Sequence, residues 1–154
     1  SKLGPRAARA GVSIARTVLL DPGKEMEALG GYLGQADRVL VDAPCSGTGT
    51  WRRKPEARWR LSEKELERFA QTQDRLLDIA ARLVKPGGTL TYVTCSLLDE
   101  EGAGRIAAFQ ARQPDWQAVP LTLPAGDPRG QGVRLTPWQD TTDGFFIATL
   151  AAPC

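Results

Sequence analysis

The stretch Arg38-Val-Leu-Val-Asp-Ala-Pro-Cys-Ser-Gly-Thr-Gly-Thr50 decides the fold class that this sequence predicts. Three apolar residues, 39–41, are followed by Asp42, by a Pro-Cys pair and then by small residues and glycines. An apolar run that ends in turn-forming residues is typical of a buried strand that leads into a loop. In parallel α/β sheets, ligands bind at the carboxyl ends of the strands. The stretch therefore predicts a strand over 38–42, with Asp42 and Cys45 at a functional site.

A second stretch, Thr89-Leu-Thr-Tyr-Val-Thr-Cys-Ser96, has the same form. Its β-branched and aromatic residues predict a strand over 89–94, and Cys95 follows directly. Two strands, each with a cysteine at its carboxyl end, are the feature that an account of function has to explain.

Length and composition predict a soluble globular protein. The chain has 154 residues, of which 42% are hydrophobic and 25% charged, which is ordinary for one domain. The sequence has no apolar run long enough for a membrane span and no signal-peptide pattern, so we expect a cytoplasmic protein without membrane partners. It begins Ser1-Lys-Leu-Gly rather than with Met, which suggests a processed chain or a piece of a longer one.

The sequence contains no histidine and only three cysteines, without a CxxC pair. These counts exclude Ser-His-Asp and Cys-His catalysis and argue against zinc sites and a disulfide framework, so we expect no metal and reduced thiols. A lone cysteine is most often a small buried hydrophobe. Cys45 and Cys95, however, lie at strand ends beside Ser or Gly, where packing does not require sulfur.

Helical and strand patterns alternate along the chain. Ser62-Glu-Lys-Glu65 is a capping box that opens an amphipathic helix, and Lys85-Pro-Gly-Gly88 ends it. Alternating elements followed by two late strands predict an α/β sheet with an antiparallel edge. The predicted helices cover 1–11, 24–33, 63–84 and 99–112; the predicted strands cover 12–20, 38–42, 89–94, 116–123 and 144–150; loops cover 47–60 and a Gly-rich 126–132.

The segment 51–60 concentrates positive charge, with five cations against Glu56: Arg52, Arg53, Lys54, Arg58 and Arg60. Such a run is usually a solvated loop. Its position directly after the Pro-Cys loop favours contact with phosphates, so we expect Arg52, Arg53, Lys54 and Arg58 to bind nucleic acid. Trp51 and Trp59 either stack on a base or pack against the protein.

Asp42-Ala-Pro-Cys-Ser-Gly-Thr-Gly49 and Thr94-Cys-Ser96 together resemble the Sun-type (nucleolar-protein/Sun) RNA cytosine-5 methyltransferases, and among them the bacterial small-subunit ribosomal RNA methyltransferase B group. The resemblance extends over nearly the whole chain. It implies a Rossmann-like class I methyltransferase sheet, mostly parallel with an antiparallel edge. Further matching segments follow in order: 52–55, 71–77, 85–88, 99–101 and 143–146.

The resemblance also implies a reaction. A cysteine thiolate adds to carbon 6 of a cytosine in RNA, ribosomal RNA for this group, and carbon 5 then accepts a methyl group from S-adenosyl-L-methionine. By resemblance, Cys95 is the nucleophile and Cys45 assists release. The residues alone leave that order open, because DNA cytosine methyltransferases carry their nucleophile in a Pro-Cys pair.

Two aspartates are the candidate partners of base and cofactor. Asp42 is either a polar residue at a strand end or an acid that pairs with the cytosine edge, and the resemblance also places it near the cofactor. Asp21 precedes Pro22-Gly23 and is either a turn residue or, by resemblance, a cofactor contact.

The resemblance implies that the family's first strand and its Gly-rich cofactor loop precede this chain. We therefore expect residues 1–154 to be the carboxyl-terminal portion of one methyltransferase domain. Alone, it should turn over little and self-associate through an exposed sheet edge. The alternatives are a catalytically silent RNA-binding module derived from such an enzyme and, less favoured by the isolated cysteines, a thiol-redox or metal-binding protein. A methyltransferase of a protein or small molecule is the remaining enzyme alternative, in which the paired cysteines have no obvious use.

Overall fold

The computed structural model describes residues 3–14 and 16–154, which divide into two compact units after Gly31. The first unit ends at Gly31 and the second covers Tyr32–Cys154. The expectation that residues 1–154 are the carboxyl-terminal portion of one domain stays a prediction.

The first unit contains two short helices, α1 (Leu3–Arg9) and α2 (Glu25–Leu29). Residues 12–14 and 16–20 have no regular secondary structure, so the predicted strand is wrong there, and Ala15 lies outside the described residues. A strand requires a neighbouring strand for its N–H and C=O groups, and no described strand pairs with this segment. The Asp21 carbonyl accepts the Lys24 N–H at 3.0 Å, and Gly23 has φ 86°, so the turn is confirmed.

The second unit begins with a β-α-β arrangement: β1 (Ala36–Asp42), α3 (Glu63–Leu83) and β2 (Val84–Thr94). The two strands are parallel, with Asp42 opposite Val93. Ser62 caps α3 as predicted, because its Oγ accepts the Glu65 N–H at 3.3 Å. The segment between β1 and α3 forms two short 3₁₀ helices, Thr48–Thr50 and Pro55–Arg60.

The remaining elements complete a mixed sheet. They are a 3₁₀ turn (Asp99–Glu101), α4 (Ala103–Arg112), β3 (Gln117–Val119), β4 (Asp127–Arg129), β5 (Gly132–Leu135), α5 (Pro137–Asp140) and β6 (Phe145–Ala151). The sheet order is β1-β2-β6-β5-β4, and β3 pairs with the far end of β6. Only β1 and β2 are parallel among the described strands; the others pair antiparallel. The predicted α/β sheet is confirmed, but its antiparallel part is larger than the expected edge, since only one of the five strand pairings among the described residues is parallel.

Two predicted segments differ from the structure. The Gly-rich loop 126–132 is instead the β4–β5 hairpin, whose turn places Gly130 at φ 56°. The strand predicted over 116–123 is limited to β3. Strands of three or four residues are too short to show an alternating pattern, so sequence periodicity could not detect them.

One face of the sheet packs against α3 and α4. Alternate residues of β2 and β6 are buried there. The rings of Phe146 and Tyr92 pack edge-on, with their centroids 6.5 Å apart. Of the two phenylalanines at the start of β6, Phe146 is buried and Phe145 is half-buried. The core also contains Leu77 and Ala80 of α3, Leu90 of β2, Ile106 and Phe109 of α4, Trp116, and Ala148 and Leu150 of β6.

β1 is the terminal strand of the sheet. Within the described part of the chain no strand pairs with its outer edge, and Leu40 is 69% exposed. An exposed edge of this kind was expected, whereas self-association through it stays a prediction. No helix among the described residues has the length and apolar character that a membrane crossing needs.

Candidate active site

The two cysteines at the strand ends face each other. Because β1 and β2 are parallel neighbours, their carboxyl ends meet at one edge of the sheet. Cys45 lies three residues beyond Asp42, and Cys95 directly follows Thr94. Their Sγ atoms are 3.4 Å apart, and both are free, half-buried thiols.

The two thiols differ in acidity. A hydrogen bond from Cys45 lowers the pKa of Cys95 to about 7, against the opposing effects of burial and of the nearby Asp42 charge. The same hydrogen bond and burial raise the pKa of Cys45 well above its ordinary value. The thiolate is the nucleophilic form of cysteine, and Cys95 has the lower pKa of the two thiols.

Backbone hydrogen bonds fix the loop that carries Cys45. The Ala43 N–H reaches the Val93 carbonyl at 3.0 Å and extends the β1–β2 ladder by one step. The Gly49 N–H donates to the Cys95 carbonyl at 3.0 Å, and its own carbonyl accepts the Gly144 N–H at 2.9 Å. A Cβ on Gly49 would lie 2.1 Å from the Gly144 oxygen, so only glycine fits.

Two hydroxyl groups order the turn after Cys95. Thr48 Oγ1 accepts the Leu97 N–H at 2.8 Å and lies 3.1 Å from Ser96 Oγ. Ser96 Oγ accepts the Leu98 N–H at 3.1 Å. These contacts connect the loops that follow β1 and β2.

Glu101 is a site residue that the sequence did not single out. Its side chain is fully buried. Oε1 accepts the Ser46 N–H at 2.8 Å and Gln73 Nε2 at 3.3 Å, and Oε2 accepts the Ser46 hydroxyl. The run Asp99-Glu-Glu101 was the available signal, but three consecutive acids do not reveal which one is buried.

Asp42 and Asp21 are both exposed. Asp42 lies at the carboxyl end of β1, on the edge where the thiols meet. Its negative charge opposes the ionisation of Cys95 and so acts to raise the pKa of that thiol. Asp21 lies in the first unit, in the turn described above. An exposed carboxylate suits hydrogen bonds from the amine or hydroxyl groups of a nucleoside cofactor. No group of three or more His, Cys, Asp or Glu among the described residues is arranged to hold a metal ion.

The four cations expected to bind nucleic acid differ in their surroundings. Arg52 Nη2 lies 3.5 Å from Asp143 Oδ1, and Arg53 Nη2 lies 2.5 Å from Asp143 Oδ2. The Arg58 guanidinium lies 4.2 Å from the ring centroid of Trp59. Lys54 lines a cavity of about 330 Å³ beside the Cys45 loop.

Two further residues of this segment have distinct surroundings. Arg60, which was not assigned to the site, lines the same cavity as Lys54, and so does Ser46. Trp59 is 77% exposed, whereas Trp51 is half-buried with its Nε1 shielded from solvent. Trp59 is therefore the tryptophan of this segment with a ring face available for stacking.

Comparison with known proteins identifies close relatives. A family model described as 16S rRNA methyltransferase RsmB/F matches residues 2–151. Ribosomal RNA small subunit methyltransferase B from Thermus thermophilus is 44% identical over 117 residues, covering 75% of this chain and 29% of the relative. The protein of that name from Xanthomonas campestris is 40% identical over 136 residues, covering 88% of this chain and 31% of the relative. The chain thus spans less than a third of these relatives.

Solved structures share the fold. The crystal structure of PH0851 aligns with a TM-score of 0.83 and 38% identity, covering 97% of this chain and 33% of that one. The structure of NSun6 from Pyrococcus horikoshii with SFG aligns with a TM-score of 0.79 and 28% identity, covering 97% of this chain and 38% of that one.

Proposed function

This chain belongs to the 16S rRNA methyltransferase RsmB/F family, and we propose that it is part of an enzyme that methylates carbon 5 of cytosine in ribosomal RNA. The observation that carries the proposal is the pair of thiols 3.4 Å apart at the carboxyl ends of two parallel strands. Neither a structural role nor RNA binding alone requires such a pair.

In the proposed reaction, Cys95 makes carbon 5 of cytosine reactive toward a methyl group. Carbon 5 of cytosine is too weakly nucleophilic to accept a methyl group directly. The Cys95 thiolate adds to carbon 6, which gives carbon 5 enamine character, and the C5–methyl bond then forms as the bond between that methyl group and the sulfur of the methyl donor breaks. Loss of the carbon 5 proton to a base from solvent and cleavage of the S–C6 bond return the thiolate and the aromatic ring. The lowered pKa of Cys95, about 7, supports this assignment.

Cys45 is the proposed release residue. Its raised pKa, which follows from the hydrogen bond with Cys95 and from burial, keeps it a thiol near neutral pH. A thiol at 3.4 Å is placed to donate a hydrogen bond to the Cys95 sulfur as that sulfur leaves carbon 6.

S-Adenosyl-L-methionine is the proposed methyl donor, which supplies an electrophilic methyl group on a sulfonium when bound. NSun6 was solved with SFG, an analogue of this cofactor. We propose that the exposed carboxylate of Asp42 contacts the cofactor or the amine and ring nitrogen of the cytosine, where it would stabilise charge that develops during thiolate addition. Cofactor contact by Asp21 is a separate part of the proposal.

RNA contact is assigned to the segment 51–60. Among the described residues, neither Lys54 nor Arg58 forms an ion pair, so these two are the proposed phosphate contacts. Glu56 and Glu65 line the same cavity as Lys54 without pairing with it. Arg52 and Arg53 are secondary contacts, because Asp143 already neutralises part of their charge. A cytosine within a ribosomal helix must leave its stack to reach the thiols.

The test is covalent trapping. Cys45→Ser and Cys95→Ser variants of the full-length protein are incubated with ribosomal RNA and S-adenosylmethionine and separated on a denaturing gel. We expect Cys45→Ser to accumulate a protein–RNA adduct, because release is slowed, and Cys95→Ser to form none. Cys154→Ser, at the exposed third cysteine, is the matched control and should behave as wild type.

The other outcomes are equally informative. An adduct that forms in Cys95→Ser but not in Cys45→Ser would make Cys45 the nucleophile and Cys95 the release residue, with the reaction otherwise unchanged. Absence of both adduct and methyl transfer in every variant and in wild type would favour the silent RNA-binding module.

A further inference from the structure

The carboxylate of Glu101 is buried among neutral hydrogen-bond donors. Ser46 donates through its N–H and its hydroxyl, and Gln73 donates through Nε2. Removing a carboxylate from water is unfavourable, and neutral donors offset that cost only in part. An amide or apolar side chain of the same volume would lose less hydration free energy on burial, so the buried charge of Glu101 indicates a functional role.

The donors lie on both sides of Cys45. Gln73 Nε2 donates to the Pro44 carbonyl at 2.9 Å as well as to Glu101, and the Ser46 N–H donates to Glu101 at 2.8 Å. The residues before and after Cys45 are thereby attached to one buried pair, Glu101 and Gln73.

Glu101 is also attached to the strand that leads to Cys95. Its backbone carbonyl accepts the Tyr92 hydroxyl at 2.8 Å, and Thr94 Oγ1 lies 3.5 Å from the same oxygen. One buried residue therefore anchors both thiol-bearing segments.

We propose that Glu101 is a positioning residue that acts through Ser46 and Gln73 to hold Cys45 against Cys95 for the release step, an inference that rests on the proposed cytosine chemistry. Glu101 touches neither sulfur. It acts by fixing the backbone on each side of Cys45.

The charge of Glu101 has a second effect that a purely structural residue would lack. The hydrogen bond with Cys95 and burial contribute most to the raised pKa of Cys45, and the negative charge of Glu101 adds to them. The same charge opposes ionisation of Cys95. Loosening of the Cys45 loop weakens the hydrogen bond that is the main cause of the lowered pKa of Cys95, so Glu101→Gln and the volume-conserving Gln73→Met should both raise that pKa. In Glu101→Gln, loss of the negative charge offsets part of the rise.

The adduct gel separates these effects. We expect Glu101→Gln in the full-length protein to accumulate the RNA adduct as Cys45→Ser does, with turnover reduced about 10-fold and KM for RNA little changed. The acidic limb of its pH–rate profile should move to higher pH, because the weakened hydrogen bond from Cys45 lowers the pKa of Cys95 less. Gln73→Met should accumulate adduct and move that limb at least as far, because it keeps the Glu101 charge. Glu100→Gln, at the exposed neighbouring acid, is the matched control and should change neither readout.

Folded Glu101→Gln protein that releases RNA as fast as the Glu100→Gln control would overturn the proposal. If circular dichroism shows that Glu101→Gln does not fold, Gln73→Met and the milder Ser46→Ala take its place. Rapid release by both folded variants would count equally against the positioning role.

Failure of the proposed function itself would look different, because Cys45→Ser would then form no adduct. The rate of alkylation of Cys95 by iodoacetamide as a function of pH then provides the readout. Because the hydrogen bond from Cys45 is weakened, Glu101→Gln must shift that profile to higher pH than Glu100→Gln does, and identical profiles would overturn the role of Glu101.

Discussion

Two consecutive segments of the chain, residues 43–50 and 51–60, are held in opposite ways. The first is anchored by the buried Glu101, by Thr48 and by the close contact of Gly49 with Gly144. The second forms short 3₁₀ turns whose side chains are mostly exposed, and its ion pairs involve only Asp143 among the described residues.

The difference follows from the distances over which the proposed roles operate. Covalent attack requires a sulfur within bonding range of one ring atom, and displacement by about 1 Å costs a large factor in rate. Attraction between a cation and a phosphate acts over several ångströms and tolerates mobile side chains. We therefore expect substitutions in 43–50 to affect stability and chemistry, and substitutions in 51–60 to affect RNA affinity and its salt dependence.

The largest expected effect is that of Gly49→Ala. The added Cβ would lie 2.1 Å from the Gly144 oxygen and 2.6 Å from its carbonyl carbon, so the backbone must move. We expect the free energy of unfolding, measured with denaturant, to fall by about 3 kcal/mol or more.

Gly47→Ala is the matched control in the same loop. Gly47 has φ 70°, but the nearest atom to an added Cβ is 3.5 Å away, so only backbone strain of about 1–2 kcal/mol is expected. Equal losses of stability for the two variants would show that the contact with Gly144 does not anchor the loop.

Removing the thiol of Cys45 should have the next largest effect, measured as reactivity of Cys95. The hydrogen bond from Cys45 is the main reason that the pKa of Cys95 is lowered to about 7. In Cys45→Ala that pKa should rise, so that alkylation of Cys95 at pH 7 slows by about 10-fold or more. Peptide mass mapping identifies the labelled cysteine, and an unchanged rate in Cys45→Ala would remove the basis for a thiolate at Cys95.

The anchored segment was also the better predicted one. Apolar residues ending in Asp42 and in Thr94 indicated two strands with cysteines at their carboxyl ends, and β1 and β2 are present as expected. The cap at Ser62 followed from local spacing alone. Both depend on residues close in sequence, where pattern and structure correspond directly.

Contacts between distant residues were not predictable in the same way. Glu101 is buried because Ser46 and Gln73 come to it from 55 and 28 residues away. The β4–β5 hairpin forms because β6 offers β5 an edge to pair with, although its own residues show no strand pattern. Conversely, no described strand pairs with the β-rich residues 16–20, and these residues form no strand.

In the basic segment, residues 51–60, Lys54→Ala and Arg58→Ala should weaken binding of ribosomal RNA by a few-fold. Each should reduce the slope of log K against log salt concentration by about 1, because one phosphate contact is lost. Unfolding free energies should stay within about 0.5 kcal/mol of wild type. Arg82→Ala, at the exposed end of α3, is the matched control and should leave the slope unchanged. A slope equal to wild type in both test variants would move the RNA contact away from this segment.

The smallest expected effect is that of Arg52→Ala on stability. Its guanidinium lies 3.5 Å from Asp143 with the side chain 63% exposed, and exposed ion pairs of this geometry contribute about 0–1 kcal/mol. Because Arg53 still pairs with Asp143 at 2.5 Å, we expect the free energy of unfolding to change by less than about 0.5 kcal/mol. The salt slope of RNA binding should change less than in Lys54→Ala, since Asp143 already offsets the charge. A stability loss approaching that of Gly49→Ala would mean that the basic segment is anchored as firmly as the Cys45 loop.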